Sequence, residues 1–144
     1  MSVTLVLGGS RSGKSRYAES LLSGHPTVKS VAPGAALDGS DPEWAQRISL
    51  HQARRPASWS TVETAELADV IRAADHPVLI DCLSTWLTHL IDDIDAWGDR
   101  ERAAAHVEEE TVCLLHALGS ATVDVVLVSS EVGLAVVPST SSGR

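Results

Sequence analysis

The segment GGSRSGKS, residues 8–15 of this 144-residue chain, decides the fold. Its spacing, G-x-x-x-x-G-K-S, is that of a phosphate-binding loop. Glycines allow a tight turn in which successive backbone N–H groups point at an anion, and a helix that begins after the loop adds its positive end. We expect Lys14 to reach the β- and γ-phosphates of a nucleotide and the Ser15 hydroxyl to ligate Mg²⁺.

The segments on either side of the loop are those that the motif requires. Residues 3–7, VTLVL, predict a short buried strand, because they are apolar and rich in β-branched side chains. Residues 14–22 predict a helix that ends before Gly24. A chance glycine-rich turn would lack this strand–loop–helix context, so we predict a nucleotide-binding loop.

Strands and helices alternate along the rest of the chain. We predict further strands at residues 28–32, 58–62, 78–80 and 123–128, and helices at 41–51, 64–74, 83–94 and 99–118. Thr64 is expected to cap its helix, and the apolar helix 83–94 to be mostly buried. This alternation predicts an α/β fold, a P-loop NTPase-like three-layer sandwich around a mostly parallel sheet, in a single domain over residues 1–144.

Composition excludes several classes of function. The net charge of −8 argues against a broad surface for nucleic acid. No apolar run reaches the ~18 residues of a membrane span, and the N-terminus lacks the basic region of a signal peptide. Cys82 and Cys113 have no metal-binding spacing, so we expect buried, reduced thiols in a cytoplasmic protein.

Two acidic residues follow predicted strands, at the edge where open α/β sheets bind ligands. Asp81 could hold the metal that a P-loop enzyme needs or could cap the next helix, and we prefer the metal role. Glu131 could be a second acid or a simple loop residue, and the sequence leaves both open.

His51 has two interpretations. It stands at helical spacing from Trp44 and Ile48, which is typical of a histidine that only packs. It also lies at the end of its predicted helix, and Arg54 and Arg55 follow it, which suit phosphate recognition. A histidine nucleophile with an arginine clamp is therefore the competing hypothesis.

Four segments, in order along the chain, resemble one family. They are TLVLGGSRSGKSRYAE, RISLHQARRPASWSTVE, VLIDCLSTWLTHLI and VVLVSSEVGLAVVP. Over nearly its whole length the chain resembles the bifunctional adenosylcobinamide kinase / adenosylcobinamide-phosphate guanylyltransferases of cobalamin biosynthesis. Many folds share the P-loop, whereas its Arg-Ser-Gly-Lys-Ser-Arg form together with His-x-x-x-Arg-Pro and Glu-Val-Gly is far more specific.

The resemblance implies phosphorylation of adenosylcobinamide by a nucleoside triphosphate, ATP or GTP, followed by GMP transfer from GTP to the phosphate. It implies catalytic roles for His51, as carrier of a GMP–histidine intermediate, and for Lys14. It also implies a homo-oligomer, a trimer in the family. Mg²⁺ on Ser15 and Asp81 is expected from the phosphate loop itself. The implied nucleotide contacts are Gly8, Gly9, Ser10, Arg11, Ser12, Gly13, Lys14, Ser15, Pro33, Gly34, Ala35, Gln52, Ala53, Arg54, Arg55, Glu63 and Asp81.

The chain departs from the family at three places. Pro33-Gly34-Ala35 stands where relatives often carry hydroxyl residues, and Ser130 where many have asparagine. The sequence given ends at Arg144, before a C-terminal segment of the family. We expect that segment to be truncated here, and a version that carries it to be more stable or more active.

Three alternatives compete with the two-step transferase. A P-loop small-molecule kinase would not become labelled by GTP, and an inert module would bind GTP without turnover. A regulatory GTPase is disfavoured because no Asn-Lys-x-Asp element that reads guanine occurs.

Lys14→Ala is expected to abolish both activities, because both need a triphosphate held on the loop. Assays of kinase and guanylyl transfer test this. Near-wild-type turnover in either would contradict a single nucleotide site.

Overall fold

The computed structural model describes residues 1–34, 46, 49–50, 53 and 55–131. Within these residues, five strands and four helices have defined bounds. The strands are β1 (Val3–Gly8), β2 (Lys29–Ala32), β3 (Ser60–Glu63), β4 (Val78–Asp81) and β5 (Val125–Ser130). The helices are α1 (Lys14–Leu21), α2 (Leu67–Ala73), α3 (Leu83–Asp93) and α4 (Arg100–Gly119). Of the predicted helix 41–51, Gln46, Ser49 and Leu50 are helical, and the other positions lie outside the described residues.

All five strands are parallel, in the order β1-β5-β4-β2-β3. The last strand, β5, is inserted between β1 and β4, so that Val125 pairs with Val3 on one side and Val78 on the other. Parallel neighbours require crossover connections, which place helices on the faces of the sheet. The predicted α/β fold around a mostly parallel sheet is confirmed.

Helices cover both faces and give three layers. One face packs against α1, and its cluster contains Val6, Ala18, Leu22, Val28, Trp59, Leu79, Val126 and Val128. The other packs against α2, α3 and α4, and its cluster includes Val31, Leu67, Ile71, Val78, Ile80, Trp86, Leu90, Leu114, Val125 and Leu127. Residues 78–80 and 125–128 belong alternately to the two clusters, because successive side chains of a strand point to opposite faces.

Three local predictions were wrong. Thr64 does not cap α2, whose N-cap is Glu66; its hydroxyl accepts from the Glu66 N–H at 3.1 Å in a turn that precedes the helix. Helix α3 is not mostly buried, because Trp86 and Leu90 alone are buried in it. Cys113 is exposed, since the helical period of α4 turns it away from the buried stripe, and Cys82 is only half-buried.

Asp124 directly precedes β5 and lies at the edge of the sheet where the strands begin. Its Oδ1 accepts from the Ser2 backbone N–H at 2.8 Å, and its Oδ2 lies 3.5 Å from His25 Nε2. The hydrogen bond from the Ser2 N–H lowers the pKa of Asp124, and the Ser2 hydroxyl and His25 lower it further, against an opposing effect of desolvation. Deprotonated Asp124 thus connects Ser2, directly before β1, to the start of β5 by a hydrogen bond.

Asp124→Asn is expected to lower the melting temperature at pH 7, because the amide loses the charge-assisted part of these contacts. A carboxyl group whose pKa is lowered by folding stabilises the folded state at pH values above its unfolded-state pKa of about 3.9. This stabilisation is lost as the pH falls through the pKa of the folded state. Melting curves between pH 7 and pH 3 should therefore converge for the two proteins at the acid end. Asp75→Asn, at an exposed site, is the control, and a constant difference at all pH values would contradict the charge assignment.

Candidate active site

The carboxyl ends of the five parallel strands meet at one edge of the sheet, where the predicted site residues collect. Val6 and Asp81 both pair with Val128, from opposite sides, so their Cα atoms lie roughly 10 Å apart. The phosphate loop and Asp81 thus stand at the same edge with one strand between them. Open α/β sheets bind ligands at this carboxyl edge.

The phosphate loop has the backbone that its sequence predicts. Gly13 adopts φ +86°, a left-handed conformation that glycine reaches without strain, and Arg11 is also left-handed at φ +55°. Lys14 folds back so that its Nζ donates to the Gly9 carbonyl at 3.1 Å. The first turn of α1 contains no acidic side chain, so none lies there to oppose a bound phosphate.

Gly8 is required by close approach within the loop. A Cβ at this position would lie 2.5 Å from Ser12 Oγ and 3.4 Å from Lys14 Cβ. Any side chain here would push the Ser12 hydroxyl and crowd the lysine that reaches the phosphates. The close packing within the loop therefore explains why the motif has glycine at position 8.

Asp81 does not cap the helix that follows it. The N-cap of α3 is Cys82, not Asp81, and the Asp81 side chain is 10% exposed at the end of β4. On α1, Ser15 lies on the sheet-facing stripe with Ala18 and Leu22. One hydroxyl and one carboxylate, completed by phosphate oxygens, are the sparse donor set with which proteins usually hold Mg²⁺. Within the described ranges, no group of three His, Cys, Asp or Glu side chains could hold a metal by itself.

Arg55 lies in the layer between α1 and the sheet, and its side chain is 6% exposed. Its Nε is 3.4 Å from Glu19 Oε1, one NH₂ group donates to Ser30 Oγ at 2.6 Å, and the other lies 3.8 Å from Asp81 Oδ2. The last distance is that of an ion pair and not of a hydrogen bond. Glu19 belongs to α1, and Ser30 and Asp81 lie on the face of the sheet that packs against α1.

The remaining predicted contacts are placed in part. Glu63 ends β3 and pairs with Ala32, directly before Pro33 and Gly34, so these residues adjoin at the same edge. Pro33 is fully buried there. Ala53 is helical and exposed, whereas Ala35, His51, Gln52 and Arg54 lie outside the described residues. Glu131 is exposed next to the phosphate loop, with its N–H donating to the Gly8 carbonyl at 3.1 Å.

Sequence reasoning missed Glu19 and Ser30. Glu19 is 11% exposed, although glutamate rarely lies on the buried face of a helix. Its spacing of four residues from Ser15 was a visible signal, because positions 15, 18, 19 and 22 form one helical stripe. Ser30 is buried in β2, and the sequence contains no sign that it would receive an arginine.

The fold and the loop define a P-loop nucleotide-binding protein of the α/β class. The family model for cobinamide kinase / cobinamide phosphate guanyltransferase matches residues 4–144, and this chain belongs to that family. The family resemblance drawn from the four sequence segments is thereby confirmed.

Alignments with curated relatives cover most of this chain and most of each relative. A protein of Pseudomonas aeruginosa, the bifunctional adenosylcobalamin biosynthesis protein CobP, is 42% identical over 139 residues, covering 93% of this chain and 74% of that protein. The CobU proteins of Salmonella typhimurium and Escherichia coli, both also named bifunctional adenosylcobalamin biosynthesis proteins, are 36% and 37% identical. Each of those alignments covers 97% of this chain and 81% of the relative.

Among the described residues, none of the helices has the length and apolar character needed to cross a membrane.

Gly8→Val is expected to lower nucleotide affinity about tenfold or more, which corresponds to ~1.4 kcal/mol, with little effect on folding. Valine suits the last position of a strand, but its Cβ meets Ser12 and Lys14. Titration with a fluorescent GTP analogue measures the loss, and melting curves check the fold.

Gly98→Val is the matched control, because nothing lies within 4 Å of a Cβ built there. Equal affinity of the Gly8 variant and wild type would refute the assignment of the loop as the phosphate site.

Proposed function

We propose that this chain carries out both reactions named in its family: phosphorylation of adenosylcobinamide, then GMP transfer from GTP to adenosylcobinamide phosphate. The observation that carries the proposal is the family match over residues 4–144, together with a phosphate loop formed between β1 and α1. A homo-oligomeric, cytoplasmic enzyme that uses ATP or GTP in the first step is part of the same proposal.

In the kinase step the loop holds the triphosphate. Backbone N–H groups of residues 8–15 and the first turn of α1 bind phosphate oxygens, and Lys14 leaves its Gly9 contact to reach the β- and γ-phosphates. Ser15 and Asp81 would hold Mg²⁺, which neutralises charge on those phosphates. The substrate hydroxyl attacks the γ-phosphorus and loses its proton to solvent. The bond between the γ-phosphorus and the bridging oxygen breaks, and the nucleoside diphosphate leaves.

In the guanylyl step His51 is the proposed carrier. Its neutral imidazole nitrogen attacks the α-phosphorus of GTP and pyrophosphate leaves. A phosphate oxygen of adenosylcobinamide phosphate then attacks the same phosphorus and releases the histidine. Gln52, Ala53 and Arg54, directly after His51, are proposed nucleotide contacts, with Arg54 stabilising negative charge on the phosphate.

The nucleotide is proposed to extend along the carboxyl edge of the sheet. Pro33, Gly34 and Glu63 lie at the ends of β2 and β3, which β4 and β5 separate from the loop strand β1. Ala35 follows in sequence. With strands about 4.8 Å apart, β2 stands roughly 14 Å from β1. Contacts at the phosphate loop and at the ends of β2 and β3 would bind the two ends of one extended nucleotide.

His51→Ala is expected to abolish covalent labelling by α-labelled GTP while keeping much of the kinase step, because phosphorylation needs the loop and metal but no histidine nucleophile. The adduct should be a phosphoramidate, labile to acid and stable to base, and peptide mapping should place it on His51.

His116→Ala, at an exposed position of α4, is the matched control and should label like wild type. A wild-type protein that phosphorylates adenosylcobinamide without ever becoming labelled would be a kinase only. If His51 only packs, its substitution should instead depress both activities and the melting temperature together.

A further inference from the structure

The buried guanidinium of Arg55 joins two elements that carry the proposed metal ligands. It contacts Glu19 on α1 through Nε, at 3.4 Å, and faces Asp81 at the end of β4 at 3.8 Å. Its third partner, Ser30 on β2, accepts a hydrogen bond of 2.6 Å. An arginine can contact partners in three directions because its five N–H groups point outward within one rigid plane.

Glu19 lies one helical turn beyond Ser15 on the same stripe of α1, with Cβ atoms about 5–6 Å apart at this spacing. A contact that holds Glu19 therefore also holds the turn that presents the Ser15 hydroxyl. Asp81, the second proposed ligand, contacts the same guanidinium. The relative position of hydroxyl and carboxylate thus depends on a group that need not touch the metal.

The layer that Arg55 occupies has little water. The side chains of Arg55, Glu19 and Asp81 are 6%, 11% and 10% exposed. Two carboxylates repel each other strongly in such surroundings unless a cation lies between them. The guanidinium supplies a positive charge between them.

We infer that Arg55 is a positioning residue for the metal site: it bridges Glu19 and Asp81 and so sets the distance between Ser15 and Asp81. The inference rests on the proposed function, since it assumes that Ser15 and Asp81 hold Mg²⁺. It gives Arg55 a role different from the phosphate contact proposed for Arg54.

The test measures binding of a fluorescent GTP analogue as a function of Mg²⁺ concentration, with melting curves on the same samples. Arg55→Lys and Arg55→Met should raise the half-saturating Mg²⁺ concentration, about tenfold for methionine, the lower end of losses seen when a partner of a metal-binding carboxylate is removed. Lysine keeps the charge but cannot bridge three partners, so its shift should be smaller. Affinity for the analogue at saturating Mg²⁺ should change little.

Glu19→Gln supplies a variant with a nearly unchanged shape. It should shift the Mg²⁺ midpoint in the same direction, because α1 loses its charged contact with Arg55. In the Arg55→Met/Glu19→Gln double variant, the melting temperature should recover from that of Arg55→Met, since one of two facing carboxylates is gone, while the Mg²⁺ midpoint stays raised. Arg72→Ala is the matched control, because Arg72 is half-exposed on α2 and pairs only locally with Asp69 among the described contacts.

Three outcomes would overturn the inference. Unchanged Mg²⁺ midpoints with lowered melting temperatures would make Arg55 a purely structural residue. Unchanged midpoints with lost affinity at saturating Mg²⁺ would make it a phosphate clamp. A midpoint that returns to the wild-type value in the double variant, together with the melting temperature, would trace the shift to global destabilisation. If wild type itself binds the analogue without Mg²⁺ dependence, the proposed metal site fails, and the fault lies with the proposed function.

If Arg55→Met does not yield folded protein, Glu19→Gln and Arg55→Lys decide the question by the same midpoints.

Discussion

The insertion of β5 between β1 and β4 is the constraint on which the rest of the structure depends. Among the described strands, β1 pairs with β5 alone, so the phosphate loop is joined to the sheet through a strand that lies some hundred residues later in the chain. The side chains of residues 125–128 are almost completely buried, and they contribute to the cores on both faces. The loop and Asp81 are therefore brought together by the pairing of β5 with both β1 and β4.

A second consequence of this strand order is that the proposed site residues form two groups along the carboxyl edge of the sheet. The phosphate loop and Asp81 lie near β1 and β4, while Pro33, Gly34 and Glu63 lie at β2 and β3. An enzyme that transfers a γ-phosphoryl group and then a nucleotidyl group must present two phosphorus atoms to two different nucleophiles. In the proposed site, contacts at both ends of this edge would suit that task, because a nucleotide held at both ends can be approached at two positions.

Arg55 connects these two regions through the interior. It follows directly after the segment that carries His51, yet its guanidinium reaches α1 and β4 beneath the loop. A buried arginine with carboxylate partners on two elements fixes their relative position more than it adds net stability, because desolvation offsets much of the attraction. Under our inference, Arg55 would support the site through the protein's own carboxylates.

The sequence by itself determined the phosphate loop, the alternation of strands and helices, and the family. These depend on local spacing, as in residues 8–15, where each glycine and the lysine have a role that the motif alone predicts. It did not reveal the burial of Arg55, the part played by Glu19, or the exposure of Cys113. Only the tertiary structure decided these, because the partner of a charged side chain depends on which helix packs on which face of the sheet. Residues 19, 30, 55 and 81 belong to separate segments of the chain, and the packing of α1 on the parallel sheet brings them within the reach of one guanidinium.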